Sequence, residues 1–241
     1  MRFMVMHKVT DDMEKGLPPP PGIIEGVGKL VRDGLKDGVF VGGAGLKPTA
    51  QRLRIVYKDG KRTITEGPFT DARELIAGFA QMKVRSREEA IGWCDRFAAV
   101  AGDTDLFLGP VVEAWDLGVA PKPVNAPLRF LAVHQADARS ESETPPEPAV
   151  ETKMRALVEE MTQAGVLEAT GALASTKKGA RLRFQGGKRT VIDGPFTESK
   201  ELIAGYSMLE LPSKAAAIDW AIRFVEVVAV TEIDVRQMQD E

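Results

Sequence analysis

The chain carries one sequence twice, and this duplication constrains its fold more than any other feature. A Gly-Pro-Phe-Thr tetrapeptide at residues 67–70 recurs at 194–197, and Glu-Leu-Ile-Ala-Gly at 74–78 recurs at 201–205. Each pair is separated by 127 residues, as from 67 to 194. A duplicated chain can build within one molecule what a homodimer builds from two. Residues preserved in both copies are therefore candidates for one shared site.

The composition is that of a globular protein without a strong charge bias. Of the 241 residues, 44% are apolar and 28% are charged, and the formal net charge is −3. This balance argues against a nucleic-acid partner. The sequence has no apolar run near the roughly 18 residues that span a bilayer, which argues against a membrane partner. The N-terminus lacks a signal-peptide pattern, and the single cysteine, Cys94, suits a reducing compartment, so we expect a cytoplasmic protein.

The repeats predict two domains joined by a proline-containing linker. We place the first repeat at residues 1–117, the linker at 118–127 and the second repeat at 128–241. About 120 residues are enough for a domain with its own hydrophobic core. The prolines of the linker favour an extended connection.

Hydrophobic periodicity predicts the order β-α-β-hairpin-β-α-β in each repeat. Gly38 and Gly165 are predicted to end the first helix of the two repeats. The second hairpin is predicted to be two residues shorter before its turn, with compensation near Lys177 and Lys178. The last strand is predicted at 111–115 in the first repeat and at 232–236 in the second.

This element order is typical of an α+β ferredoxin-like unit, in which an antiparallel sheet carries both helices on one face. The opposite face of such a sheet is apolar and needs a cover. We expect the two tandem ferredoxin-like repeats to pack sheet to sheet, so that each covers the other. The chain would then be an internal pseudo-dimer, with a further homodimer left open.

The segment around the second tetrapeptide resembles a known family. Residues 193–201 read Asp-Gly-Pro-Phe-Thr-Glu-Ser-Lys-Glu, which is similar to the Asp-Gly-Pro-Phe-Ala-Glu-Thr-Lys-Glu motif of the YCII-related (DGPF) family. The opening residues 1–5 and the run 187–192 are similar to that family as well. The resemblance implies a ferredoxin-like unit that pairs into a dimeric α+β barrel. It implies no single activity: some relatives are lyases or isomerases of small aromatic or lactone-like compounds, and others are associated with sigma factors.

The chain departs from this family pattern in ways that bear on its chemistry. In the better-understood branch, a histidine near the start of the first helix pairs with an aspartate, and neither repeat has a histidine in that helix. A His–Asp dyad is therefore not carried over. The first repeat also has Glu66 and Arg73 where the motif has aspartate and lysine.

The two histidines, His7 and His134, are equivalent residues of the two repeats. Each ends the first strand, in phase with Phe3 and Val5 in the first repeat. If that face lines the space between the sheets, both imidazoles approach one pseudo-twofold axis and can act as acid/base groups. The alternative is a structural histidine bonded to a neighbouring carbonyl.

Further candidate residues flank the Gly-Pro-Phe turn and its hairpin. Glu66 and Asp193 precede the turn and are predicted to orient a histidine or act as a base, or else to cap the turn. Arg62 and Arg189 are predicted to bind a substrate carboxylate, or else to be exposed strand residues. The glycine of the turn is interpreted as a positive-φ residue. Glu74 and Glu201 are interpreted as helix-start residues rather than catalytic ones.

We expect no metal, since two histidines without a Cys/His cluster do not form a zinc motif, and no other cofactor. Cys94 is interpreted as a packing residue, and the glycine run at 42–45 lacks the context of a phosphate-binding loop. The resulting hypothesis is a cofactor-independent lyase or isomerase acting on a small molecule in a cleft between the repeats. The alternative is a non-catalytic ligand-binding or regulatory module, for example one linked to a sigma factor.

Overall fold

The computed structural model describes residues 1–69, 75–196 and 202–239, which fall into two compact units. The elements of the first repeat are β1 (Arg2–Lys8), α1 (Asp11–Glu14), α2 (Pro21–Lys36), β2 (Phe40–Gly45), β3 (Leu53–Lys58), β4 (Lys61–Glu66), β5 (Ile76–Val84), α3 (Arg87–Ala101) and β6 (Thr104–Pro110). Those of the second are β7 (Leu128–Gln135), α4 (Ala138–Glu141), α5 (Pro148–Gln163), β8 (Leu167–Ala172), β9 (Ala180–Gln185), β10 (Lys188–Asp193), β11 (Ile203–Glu210), α6 (Lys214–Val228) and β12 (Glu232–Gln237). The predicted helix-start residues Glu74 and Glu201 lie outside the described residues.

The 127-residue offset holds through the hairpins, so the predicted insertion and deletion there are wrong. Strands β3 and β9 begin 127 residues apart and have the same length, as do β4 and β10. A 3-10 turn precedes each hairpin, at Thr49–Gln51 and Thr176–Lys178. The two hairpins therefore correspond residue by residue, and positions can be compared directly between the repeats.

The predicted last strand of the first repeat is also wrong. The strand is β6, and residues 111–115 follow it. Val111 forms only an isolated bridge with Leu46, and the chain then turns, with the amide of Glu113 donating to Asp116 Oδ2 at 2.9 Å and the amide of Asp116 donating to the Glu113 carbonyl at 3.0 Å. Applying the repeat offset to β12 would have placed this strand correctly.

Each sheet is assembled from both repeats, so the expectation that each repeat forms its own sheet is wrong. The strand order is β10-β9-β12-β1-β11-β2 in the first unit and β4-β3-β6-β7-β5-β8 in the second, with antiparallel neighbours throughout. Strands β1 and β2 of the first repeat lie in one sheet with β9 to β12 of the second repeat. Strands β7 and β8 of the second repeat lie in the other sheet with β3 to β6 of the first repeat. The compact units therefore do not coincide with the sequence repeats.

One helix from each repeat packs in each unit. In the first unit, α2 and α6 share a core with alternate residues of the central strands. This core includes Trp220 and Phe224 of α6 and the strand residues Phe3, Val5, Leu209, Ile233 and Val235. In the second unit, α3 and α5 pack in the same way around a core that includes Ile55, Met82, Cys94, Leu106, Leu108, Phe130 and Leu157. Burial of these side chains is the main stabilising contribution to each unit.

The ends of the predicted first helices are confirmed. Helices α2 and α5 begin with Pro21 and Pro148, where a missing N–H costs no helical hydrogen bond. Gly38 and Gly165 follow the two helices with φ of 68° and 66°, a conformation that favours glycine. Within residues 1–69, 75–196 and 202–239, none of the helices combines the length and apolar character of a membrane span.

Candidate functional site

The Gly-Pro-Phe turn is set by close backbone packing and not by a positive φ at its glycine, which corrects our interpretation. The Gly-Pro bond is cis in both repeats, and neither Gly67 nor Gly194 has a positive φ. A Cβ atom at Gly194 would lie 1.7 Å from the carbonyl oxygen of Thr176, and one at Gly67 would lie 1.9 Å from that of Thr49. Only glycine therefore fits between the turn and the loop that precedes each hairpin.

The carboxylates before the two turns pair with the first residue of a helix. Glu66 pairs with Arg87 at the start of α3, and Asp193 accepts a 2.7 Å hydrogen bond from Lys214 at the start of α6. Both carboxylates are mostly exposed, with 70% and 72% of the side-chain surface accessible. These equivalent ion pairs tie the hairpin to the following helix.

The histidines lie on the helix side of their sheets, contrary to the expectation that this face lines a space between the sheets. His7 is in phase with Phe3 and Val5, which pack against α2 and α6, and its ring centroid lies 5.3 Å from that of Phe224. A Cβ at Gly205, on the neighbouring strand, would lie 2.6 Å from His7 Cε1.

The second unit repeats this arrangement. The His134 ring centroid lies 5.3 Å from that of Phe97, and a Cβ at Gly78 would lie 2.5 Å from its Cε1. His134 is partly buried, and desolvation lowers the pKa of its imidazole to about 4, an effect that the nearby Asp137 carboxylate only partly opposes. His134 is therefore neutral at pH 7.

The structure does not bring a predicted carboxylate to the histidine of its own unit. In the first sheet, β9 and β12 separate the strand of Asp193 from that of His7. Three strand spacings amount to about 14 Å, far beyond hydrogen-bond reach. Strands β3 and β6 separate Glu66 from His134 in the same way. Asp193 and Glu66 therefore do not orient these imidazoles.

The two predicted substrate-binding arginines have different surroundings. Arg62 donates to Asp95 of α3 at 2.5 Å, and the hydroxyl of Tyr57 donates to the same carboxylate at 2.8 Å. Burial and this bond to Asp95 raise the pKa of Tyr57. Arg189 is an exposed residue of β10 and makes no ion pair within the described residues. Arg62 thus ties the first hairpin to α3.

A buried ionic cluster lies in the first unit, on the sheet face away from the helices. Asp234 lies between Ile233 and Val235 in sequence, and those two residues pack in the helix-side core. The Asp234 carboxylate accepts hydrogen bonds of 2.6 and 2.9 Å from Arg181 and lies 3.1 Å from Lys8 Nζ. All three side chains are only 5% exposed. We call Lys8, Arg181 and Asp234 the ionic cluster.

The electrostatics of the cluster favour a charged carboxylate. Burial opposes ionisation of Asp234, but the Lys8 ammonium and the Arg181 guanidinium outweigh it and lower the pKa of Asp234. The motif phenylalanine adjoins this cluster: the Arg181 guanidinium carbon lies 4.5 Å from the ring centroid of Phe196, and that of Arg236 lies 6.0 Å away. The Gly-Pro-Phe turn therefore packs against two buried cations.

The second unit has the same fold without this cluster. The residues equivalent to Lys8 and Asp234 are Gln135 and Phe107. The motif residue Phe69 packs edge-on against Phe107, with ring centroids 5.3 Å apart. Arg54, the equivalent of Arg181, pairs with Asp105 in a partly exposed position, and the equivalent pair is present in the first unit, where Arg181 Nε lies 3.5 Å from the Glu232 carboxylate. The same fold therefore accommodates an aromatic pair in place of the ionic cluster.

The ionic cluster was not predicted from the sequence. Its one signal is the alternation of charged and apolar residues over 232–236 and 180–184. That pattern is typical of a strand with one solvated face, and only the structure places Arg181 and Asp234 in a buried position.

Other candidate features are weaker. A cavity of about 90 Å³ in the second unit adjoins Trp115 and the ion pairs Lys47–Asp116 and Arg129–Glu113. Burial raises the pKa of the Cys94 thiol to about 12, so this residue is not a nucleophile near neutral pH. In the part of the chain that the structure describes, no group of three or more His, Cys, Asp or Glu side chains is placed to hold a metal ion.

The fold and the repeat define a class of protein, a tandem α+β protein with two six-stranded antiparallel sheets. The family model of the YCII-related domain matches the chain twice, at residues 1–105 and 129–239. The chain therefore belongs to the YCII-related family, as a tandem duplication.

The comparisons indicate no specific activity. The chain is 34% identical over 68 residues to an uncharacterised protein of Rhizobium meliloti (strain 1021), a match that covers 28% of this chain and 55% of that relative. The chain thus spans about half the length of the curated relative that it matches. No solved structure matches the chain.

Proposed function

We propose that this YCII-related protein binds a small anionic molecule at the ionic cluster of its first unit. The observation that carries the proposal is the burial of Lys8, Arg181 and Asp234 at one position of the sheet, against the motif phenylalanine. Burying charged groups costs more free energy than burying apolar groups of similar size. The second unit folds with Gln135 and Phe107 in the places of Lys8 and Asp234, so folding does not require the cluster.

The cluster suits a carboxylate attached to a flat apolar group. A guanidinium presents a planar fork of N–H donors that matches a carboxylate, and Lys8 adds an ammonium group. The ring of Phe196 offers an apolar surface beside Arg181 and Arg236. A ligand anion would share these cations with Asp234, so we expect binding to be coupled to local opening of the turn.

A titration with two probes tests the proposal. We expect benzoate to bind the intact chain more tightly than inorganic phosphate does, as measured by isothermal titration calorimetry. The double variant Lys8→Gln/Asp234→Phe copies the second unit and should fold, but should bind benzoate at least about tenfold more weakly, which corresponds to about 1.4 kcal/mol. The control Arg54→Ala removes a cation outside the cluster and should leave binding unchanged. The proposal fails if the intact chain binds neither probe, or if the double variant binds both as well as the intact chain does.

The reaction class rests on the family likeness and not on the ionic cluster: a cofactor-independent lyase or isomerase of a small molecule, with His7 and His134 as acid/base groups. His7 lies on the other face of the sheet from the cluster, and His134 lies in the other unit. Such an enzyme should exchange hydrogens adjacent to the ligand carboxylate or carbonyl with D₂O, which NMR detects. We expect His7→Gln and His134→Gln to slow that exchange.

A non-catalytic ligand-binding or regulatory module is the second candidate. The separation of His7 from Asp193, and of His134 from Glu66, favours it, because acid/base catalysis needs its groups within hydrogen-bond reach. Ligand binding without hydrogen exchange would support this candidate over an enzyme.

The finer fold assignment is part of the proposal. Within the first sheet, the order β12-β1-β11-β2 corresponds to the fourth, first, third and second strands of a ferredoxin-like unit, which supports that assignment. Four expectations stay predictions: the pairing of two such units as an internal α+β barrel, the linker at 118–127, the cytoplasmic location and a further homodimer.

A further inference from the structure

The two units place a buried arginine beside the Gly-Pro-Phe turn from different sequence positions. In the second unit, Arg52, the residue before β3, packs against Gly109 of β6. In the first unit, the equivalent positions are exchanged: Gly179, the residue before β9, packs against Arg236 of β12. We call each of these a facing pair. Each facing pair thus has one arginine and one glycine, and the arginine has changed strands between the repeats.

Both guanidinium groups reach the same place in their units. Arg52 Nε donates a 2.7 Å hydrogen bond to the carbonyl of Lys47, and Arg236 Nη2 donates a 2.6 Å hydrogen bond to the carbonyl of Ala174. Lys47 and Ala174 are equivalent residues of the repeats. Both arginines are nearly inaccessible, with 3% and 2% of their surface exposed.

The shared carbonyl belongs to the loop that supports the motif turn. The loop continues into the 3-10 turn that begins at Thr49 or Thr176, whose carbonyl lies against the motif glycine. The amide of Gly67 also donates to the carbonyl of position 52, and that of Gly194 to the carbonyl of position 179. The guanidinium therefore fixes the loop on which the Gly-Pro-Phe turn rests.

We infer that each unit requires one buried guanidinium at this place as a positioning residue for the Gly-Pro-Phe turn, and that either of the two facing positions can supply it. Inheritance from a common ancestor preserves a residue at its sequence position, but here only the spatial position is preserved. A structural requirement for one guanidinium at this place accounts for the exchange of arginine and glycine between the two facing positions. The inference is independent of the anionic ligand proposed above.

The facing position must be small for the arginine to fit. A Cβ at Gly109 would lie 3.2 Å from Cδ of Arg52, and a Cβ at Gly179 would lie 3.0 Å both from Cδ of Arg236 and from the carbonyl oxygen of Val235. These separations are tighter than ordinary carbon–carbon contacts of about 3.5–4.0 Å. Two arginines in one facing pair would therefore overfill the site.

Moving the arginine across the strand pair tests the inference. Arg236→Gly removes the guanidinium and Gly179→Arg adds a second, and each should lower the thermal midpoint by about 5–10 °C. The double variant Arg236→Gly/Gly179→Arg copies the second unit and should recover to within about 2 °C of the intact chain. Hydrogen exchange should show the Gly194 amide less protected in Arg236→Gly and protected again in the double variant.

A matched control separates this effect from the general cost of glycine in a strand. Arg183→Gly removes a half-exposed arginine from β9 and should lower the midpoint by no more than about 3 °C. If Arg236→Gly fails to fold, recovery of a folded double variant supports the inference. A double variant no more stable than the weaker single variant would overturn it, as would an Arg236→Gly chain with an unchanged midpoint.

Discussion

His7 and His134 each occupy space that a glycine on the neighbouring strand leaves open. A Cβ at Gly205 would lie 2.6 Å from His7 Cε1 and 2.8 Å from the carbonyl oxygen of Ala44. The glycine of the duplicated Ile-Ala-Gly segment therefore has a steric reason in both repeats. The pairing also explains why histidine and glycine recur together without requiring that either be catalytic.

Gly205→Ala should destabilise the chain by about 2–3 kcal/mol, since a methyl group would contact the imidazole and the Ala44 carbonyl. His7→Ala removes one of these two obstacles. A double-mutant cycle measured by urea unfolding should therefore give a coupling of at least about 0.5 kcal/mol, with the double variant more stable than the sum of the single effects predicts. If the effects of Gly205→Ala and His7→Ala on the unfolding free energy are strictly additive, the His7 imidazole does not crowd a side chain at residue 205.

The partly buried imidazole of His134 makes stability depend on pH. Its pKa of about 4 in the folded chain lies below the value of about 6.5 expected on unfolding, so the unfolded state binds more protons between these values. The stabilising contribution of neutral His134 is complete above pH 6.5 and decreases as pH falls towards 4, by up to about 3 kcal/mol.

The His134→Phe variant should show a flatter dependence of unfolding free energy on pH over this range. The direct measurement is an NMR titration of the His134 Hε1 resonance in the intact chain. A midpoint near 6.5 would show that the apolar surroundings do not perturb the imidazole.

At the scale of elements, the Gly-Pro-Phe turn joins a hairpin to the loop that precedes it. The absence of a side chain at Gly194 lets the turn approach Thr176, whose carbonyl oxygen would lie 1.7 Å from a Cβ atom. An ion pair between Asp193 and Lys214 holds the same turn to α6. The turn is thus connected to two other elements within the first unit.

Gly194→Ala should destabilise the chain by more than about 4 kcal/mol, because the backbone of the 3-10 turn must move. Gly92→Ala in α3 is the matched control, since nothing lies within 4 Å of a Cβ there. That control should be neutral or stabilising by about 0.5–1 kcal/mol. Differential scanning calorimetry compares the two, and an equal effect would show that crowding at Gly194 is relieved without cost.

Periodicity and turn residues were sufficient to predict most elements but not their pairing. Gly38 correctly marks the end of α2, and the last strand of the second repeat, predicted at 232–236, is β12. Pairing was not predictable in this way because the two repeats present strands with the same apolar pattern. A strand such as β1 satisfies that pattern equally well beside strands of its own repeat or of the other. The buried charge of Asp234 was missed for a related reason, since a polar sheet face gives the same alternation whether solvated or covered.

The whole molecule consists of two units that both repeats build together. Phe3 pairs with Leu209 in the first sheet, and its equivalent Phe130 pairs with Met82 in the second. Neither repeat contains all strands of a sheet, so the stability of each unit depends on residues from both halves of the chain.

Hydrogen exchange in the full chain distinguishes composite sheets from sheets confined to one repeat. Phe3→Ala creates a cavity in the first unit and should increase amide exchange in β11 and β12, which belong to the second repeat. The matched variant Phe130→Ala should increase exchange in β5 and β6 of the first repeat. Increased exchange in β5 and β6 after Phe3→Ala would contradict the composite arrangement.

The exchange of strands also governs when the chain can fold during its synthesis. Strand β1 has β11 and β12 as neighbours, and β11 begins at Ile203, whereas β1 ends at Lys8. At translation rates of about 5–20 residues per second, β1 waits roughly 10–40 seconds for its first partner to leave the ribosome. During that interval residues Phe3 to Met6, which are buried in the folded chain, form an exposed apolar segment that is prone to aggregation.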